Sequence, residues 1–211
     1  AHLAAEHPSE ALGFAVEGRE RLAAADPLRP RDIDRRPRPV THEFVYGEDQ
    51  LLSLLAGLEA NAARQLNEWD AARDSLLVRK RQLEKWYEEE ELDEALLELA
   101  LTCLRLAEVA QKQADPELTR QYLEEGLAYT DRHRESTGTE VSEAGFHLLR
   151  AYAGLHFDGG VDLASYQRDL EQDLLRYYRF LSNVRNPKWE VERLRLEVFL
   201  SLLRMEHDRG A

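Results

Sequence analysis

From about Glu48 to the last residues, apolar side chains recur every three or four positions, and the breaks between these runs are short and carry helix-start signals. A 3.6-residue period puts its apolar residues on one stripe of a helix but scatters them over both faces of a strand, so the pattern commits the chain to packed helices. Seven helices are expected after Glu48. The first runs to about Leu66, and Asn67 and Glu68 turn the chain into a second that passes through Trp69, Leu76 and Leu83 to about Glu90. A third spans about Leu92 to Gln113, with Leu92, Leu96, Leu99, Cys103, Leu106 and Ala110 on one face. Its second stripe, Leu97, Leu101 and Leu104, marks a helix packed between neighbours.

Asp115 and Pro116 supply an N-cap and a first-turn proline for the fourth helix, which carries Leu118, Tyr122, Leu127 and Tyr129 and fades between His133 and Gly138. A fifth starts near Thr139, shows Phe146, Leu149, Tyr152 and Leu155, and ends at Asp158, Gly159 and Gly160. Asp162 caps a sixth bearing Leu163, Tyr166, Leu170, Leu174, Tyr177 and Leu181. Asn186 and Pro187 open the last, with Val191, Leu194, Val198, Leu202 and Met205.

The segment before Glu48 divides in two. Residues 1–25 hold one helical pattern, with Pro8 at a first turn and Leu12, Val16, Leu22 and several alanines on its apolar side. Residues 26–47 change character: Pro27, Pro30, Pro37 and Pro39 interrupt Arg29, Arg31, Arg35, Arg36 and Arg38, the composition of an extended arm. Thr41 to Tyr46 alternates like a lone strand, but with no second strand to pair it reads as an extended segment lying on helices. The expected organisation is therefore an N-terminal helix (1–25), an Arg/Pro arm (26–47) and a helical-repeat domain (48–211).

Charge narrows the function classes. With 41 acidic and 28 basic residues the net charge is -13, a field that repels nucleic-acid phosphates and anionic lipid. Cys103 is the only cysteine, which excludes an intrachain disulfide and a thiolate metal cluster, and its apolar surroundings make it a small core residue. Every apolar run is broken by Glu, Arg or Asp, so no membrane-spanning helix is expected. The chain begins at Ala1; a cytoplasmic location is expected, with a secreted or periplasmic mature chain as the alternative.

Two successive helix pairs share a pattern of small residues that lets antiparallel helices approach closely: Ala60 and Ala63 followed by Trp69, Ala72 and Leu76, then Leu106, Ala107 and Ala110 followed by Thr119, Leu123, Gly126 and Leu127. These residues resemble the tetratricopeptide repeat (TPR) pattern over about Glu48 to Leu155. Ala72 and Thr119 stand 47 residues apart, against a usual period of about 34, which implies longer helices. The resemblance implies an all-α fold of hairpins stacked as a short TPR-like α-solenoid, with a groove lined by the first helix of each pair. Its inner-face positions fall at Asn61, Arg64 and Gln65, then at Glu108, Gln111 and Lys112, with Tyr152 following in the third pair. Asn61 matches the asparagine that in some repeat proteins holds a peptide backbone or terminal carboxylate, whereas Gly57 stands at the position of their lysine.

Signals of chemistry are sparse. His2, His7, His42, His133, His147, His156 and His207 are scattered without the spacing of a helical zinc or di-iron site, and no nucleophile elbow, phosphate loop or dinucleotide fingerprint occurs. Glu143 and His147 are placed as an ordinary pair on a helix surface. The run Glu88 to Glu91 with Asp93 and Glu94 lacks the spacing of a calcium loop and reads as a solvated junction, a charge complement to the arginine arm. No catalytic residue, metal or cofactor is expected.

The leading expectation is a non-enzymatic scaffold that binds a protein or peptide in its groove. The alternative is a structural subunit of a larger or homo-oligomeric assembly, supported by the aromatic set Tyr166, Tyr177, Tyr178, Phe180 and Trp189. An enzyme with a helical-bundle site stands third.

Overall fold

Helix ends leave backbone donors and acceptors that must find partners, and this chain solves the problem twice in the same way. At the first corner the N–H of Leu66 donates to Ala62 O at 3.1 Å, that of Asn67 to Arg64 O at 3.2 Å and that of Glu68 to Ala63 O at 2.9 Å. The second corner repeats each bond 47 positions later: Gln113 to Val109 (3.0 Å), Ala114 to Gln111 (3.1 Å) and Asp115 to Ala110 (3.0 Å). Asn67 and Ala114 both adopt the left-handed conformation, at φ 60° and 57°. This is the Schellman-type close of a helix, whose residue past the end supplies the left-handed step. The next helix begins at once, with Ala72 N–H on Glu68 O and Thr119 N–H on Asp115 O.

The computed structural model describes residues 7–24, 48–90, 93–139, 142–159, 170–183 and 189–210. Among them are eight α-helices and no strand: α1 (Pro8–Ala24), α2 (Glu48–Gln65), α3 (Trp69–Glu90), α4 (Asp93–Lys112), α5 (Pro116–Thr137), α6 (Glu143–Gly159), α7 (Leu170–Ser182) and α8 (Trp189–Gly210). The seven helices after Glu48 are those the periodicity requires. Asp115 caps α5, its carboxylate accepting from Leu118 N–H at 2.9 Å, and Gly138 closes that helix at φ 70°. The next helix does not start near Thr139. It starts at Glu143, where the Ser142 hydroxyl accepts from Gly145 N–H at 3.1 Å. The Arg/Pro arm, the segment Thr41 to Tyr46, and the capping residues Asp162, Asn186 and Pro187 lie outside the described residues.

The chain divides into two compact units, Ala1–Glu91 and Leu92–Ala211, a boundary inside the stretch 48–211 that the sequence suggested as one repeat domain. In the first unit α2 packs between α1 and α3. In the second, α4 and α5 form a hairpin, α6 packs on both, and α7 and α8 pair with each other and with α6. The expected stripe of α4 is its core: Leu96, Leu99, Cys103 and Leu106 are fully buried, whereas Leu97, Leu101 and Leu104 are half-buried. A fully buried leucine contributes about 2–3 kcal/mol over an exposed one. Phe146, Leu149 and Tyr152 of α6 and Leu174 and Tyr177 of α7 complete that core.

Candidate functional site

One surface that lies open is the side of α2 that its neighbours leave uncovered. Toward α1, Ala62 packs against Ala11 and Leu12, Leu55 lies against Gly18, and the Glu59 carboxylate accepts from Arg19 at 3.2 Å. Toward α3, Ala56, Ala60 and Ala63 are fully buried, and Gly57 leaves room for the Arg79 guanidinium. What remains is the line Leu54, Leu58, Asn61 and Gln65, at i, i+4, i+7 and i+11 on one side of the helix. Leu54 is 43% exposed and Leu58 37%. Asn61 is half-buried and Gln65 exposed.

This line combines two apolar anchors with two amides, each of which both donates and accepts hydrogen bonds. The leucines offer apolar surface, and the amides offer hydrogen-bond donors and acceptors suited to unpaired backbone groups. Arg64, the third residue singled out on α2, is half-buried at the edge of the line.

Glu108, Gln111 and Lys112 hold the matching positions of α4, one hairpin later, and all three are exposed. They share a side of α4 with the half-buried Leu101 and Leu104, so that surface is charged where the α2 surface is apolar. The structure therefore groups Asn61 with Gln65 on α2, and Glu108 with Gln111 and Lys112 on α4, in different units. Tyr152 sits elsewhere: it is fully buried, and its hydroxyl donates to Glu124 at 3.2 Å. Burial and the neighbouring Glu124 carboxylate push its phenol above the ordinary range. Its part is to hold α6 against α5, and it presents nothing to a partner. Leu54 and Leu58 carried the missing signal, since they lie seven and three positions before Asn61 on its own face.

Other places that could hold chemistry are small or solvated. A polar cleft of about 20 Å³ lies among Thr130, His133, Arg134, Ser142, Asp173 and Tyr177, room for about one water. There the Tyr177 hydroxyl donates to Ser142 O at 2.8 Å and accepts from Ser142 N–H at 3.2 Å. Its phenol is pushed up, chiefly by burial. Glu143 and His147 approach to 3.6 Å on the open surface of α6. No group of three or more His, Cys, Asp or Glu side chains that could hold a metal occurs among the described residues. None of the described helices is long and apolar enough to cross a membrane. No family model, curated protein or solved structure matches the chain.

Proposed function

We propose that this chain is a non-enzymatic scaffold that binds a peptide or helix of another protein on the open face of α2. The observation that supports it is the run of two exposed leucines in register with Asn61 and Gln65, on the one side of α2 that neither α1 nor α3 covers. Apolar anchors spaced at helical intervals beside two amides suit docking of a short segment, in which burial gives affinity and the amides set register. A TPR-like character of the two hairpins belongs to the same proposal, supported by the two corners that repeat each hydrogen bond at a constant offset.

The test is a peptide-display selection on the whole chain, followed by titration of the enriched peptides against Leu54→Ser/Leu58→Ser and Asn61→Ala. The expected result is at least about tenfold weaker binding in both variants, with binding by Glu108→Ala unchanged. Enriched peptides that bind the leucine variant as well as the parent would end this assignment.

A second reading, a subunit of a larger assembly, draws on a different surface, the outer side of α8, where Leu196, Phe199, Leu200 and Leu203 are exposed at helical spacing. Light scattering on the isolated chain separates the two: a monomer supports the scaffold, and a stable homo-oligomer supports the subunit.

A further inference from the structure

Helix α1 sits on α2 by a narrow contact. Among its described side chains only Ala11 and Ala15 are buried; Leu12 packs beside Ala11 and Ala62, and Gly18 lets Leu55 come close, since a methyl there would meet Leu55 Cδ2 at 3.2 Å. Phe14 is turned to solvent, 63% exposed. Two alanines remove little apolar surface from water. Gly13 weakens the helix with no packing gain, because a methyl there would meet nothing within 4 Å.

The polar contact described at this seat is half made. Glu59 is 7% exposed, and its Oε1 accepts from Arg19 at 3.2 Å. Its Oε2 is buried with no hydrogen-bond partner among the described residues. A buried carboxylate oxygen without a donor opposes the contact that buries it. Lifting α1 takes Arg19 away but lets water reach the carboxylate, so release costs less than the loss of an ion pair suggests. Residues 25–47 stand between α1 and α2 in the chain. A segment of that length spans up to about 75 Å when extended, so α1 stays tethered when it leaves.

The helix in the seat shows what the seat accepts. Ala11, Ala15 and Gly18 set small residues at i, i+4 and i+7, and Arg19 follows at i+8. A partner helix of this pattern, with a stronger helix former in place of Gly13 and a second donor for Glu59 Oε2, improves on α1 at each weak point. We propose that α1 is a releasable strap, and that its seat on α2, formed by Leu55, Glu59 and Ala62, receives a helix of a partner protein built on α1's own pattern. This seat is on a different side of α2 from Leu54, Leu58, Asn61 and Gln65 and does not rest on the assignment made there.

The probe is a fluorescent peptide with the sequence of residues 8–24, titrated with the whole chain and followed by anisotropy. Peptide and strap compete for one seat, so the same substitution should act in opposite directions in the two molecules. Arg19→Ala in the chain should tighten peptide binding about fivefold, and in the peptide should weaken it by a similar factor. Gly13→Ala should do the reverse, weakening binding about fivefold when in the chain and tightening it when in the peptide. Neither residue is buried, and circular dichroism checks that the variants keep their helices. Hydrogen exchange on the whole chain should show the α1 amides opening together at least about tenfold faster than those of α3. Leu54→Ser/Leu58→Ser should bind the peptide like the parent, so this seat and the open face of α2 can fail separately. Peptide binding indifferent to Arg19→Ala and Gly13→Ala in the chain overturns the proposal, as does the absence of saturable binding to the Arg19→Ala chain, or α1 exchange no faster than that of α3. So does a dimer in light scattering that excess peptide dissolves, which would make the occupant the α1 of a second copy.

Discussion

A methyl group added at Gly126 would meet Leu148 Cδ2 at 2.7 Å and Cys103 Cβ at 3.1 Å. All three positions are buried, and Cys103 Cβ is fixed to its helix, so the added volume has nowhere to go. Gly126→Ala should destabilise the chain by about 1–3 kcal/mol, read from the urea midpoint. Gly57→Ala is the comparison: its methyl would meet the end of the long Arg79 side chain and not a Cβ fixed to its helix. There the better helix propensity of alanine, about 1 kcal/mol, should leave stability unchanged or raised. Ala114 pays for its left-handed backbone at φ 57° with Cβ crowding, so Ala114→Gly should stabilise by about 0.5–1 kcal/mol in the same assay. Tyr177 sets a pH dependence. Its phenol is raised above the ordinary value of 10.0 in the fold by burial, so the unfolded chain ionises first as pH climbs. The stability is whole below about pH 10 and is lost as pH rises beyond it toward the folded value. Tyr177→Phe should flatten that alkaline decline in denaturation curves collected across the range.

At the scale of the element, the close packing of α2 on α3 and of α4 on α5 rests on small residues in matching places. Ala60 and Ala107 are both buried and stand 47 positions apart. Replacing either by leucine should destabilise by about 1–3 kcal/mol, and hydrogen exchange should show the loss of protection beginning in the helices of the altered hairpin. This much was legible in the sequence, because periodicity, the Asp115–Pro116 start and the small-residue spacing are local signals. What was not legible depended on neighbours. The side of α2 carrying Leu54 and Leu58 is open only because α1 covers Leu55, Glu59 and Ala62 instead, a choice of side that α2 alone does not state. Tyr152 occupies a position that the repeat pattern directs inward to a groove, yet the Glu124 carboxylate and the packing of α6 on α5 draw it into the core. The outer stripe of α8 was written in its sequence at helical spacing. It competes there with the inner stripe Leu194, Val198 and Leu202, and only the packing decides which of the two is covered.

Over the whole molecule, 41 acidic residues confront 28 basic ones, and the excess acts on the compact state as self-repulsion. Raising NaCl from about 10 mM to about 200 mM shortens the screening length from about 30 Å to under 10 Å, so the melting temperature should rise by a few degrees in calorimetry. A fall would show that ion pairs such as Arg19–Glu59 and Arg150–Glu197 outweigh the net charge. The two corners at Asn67 and Ala114 bear on how such a chain can change over generations. Leu-Asn-Glu at one and Gln-Ala-Asp at the other close with the same backbone bonds, so the corner is held by main-chain geometry and tolerates a wide vocabulary of side chains. Mutations at either corner can therefore accumulate one side chain at a time, provided that the left-handed step and its main-chain bonds are kept.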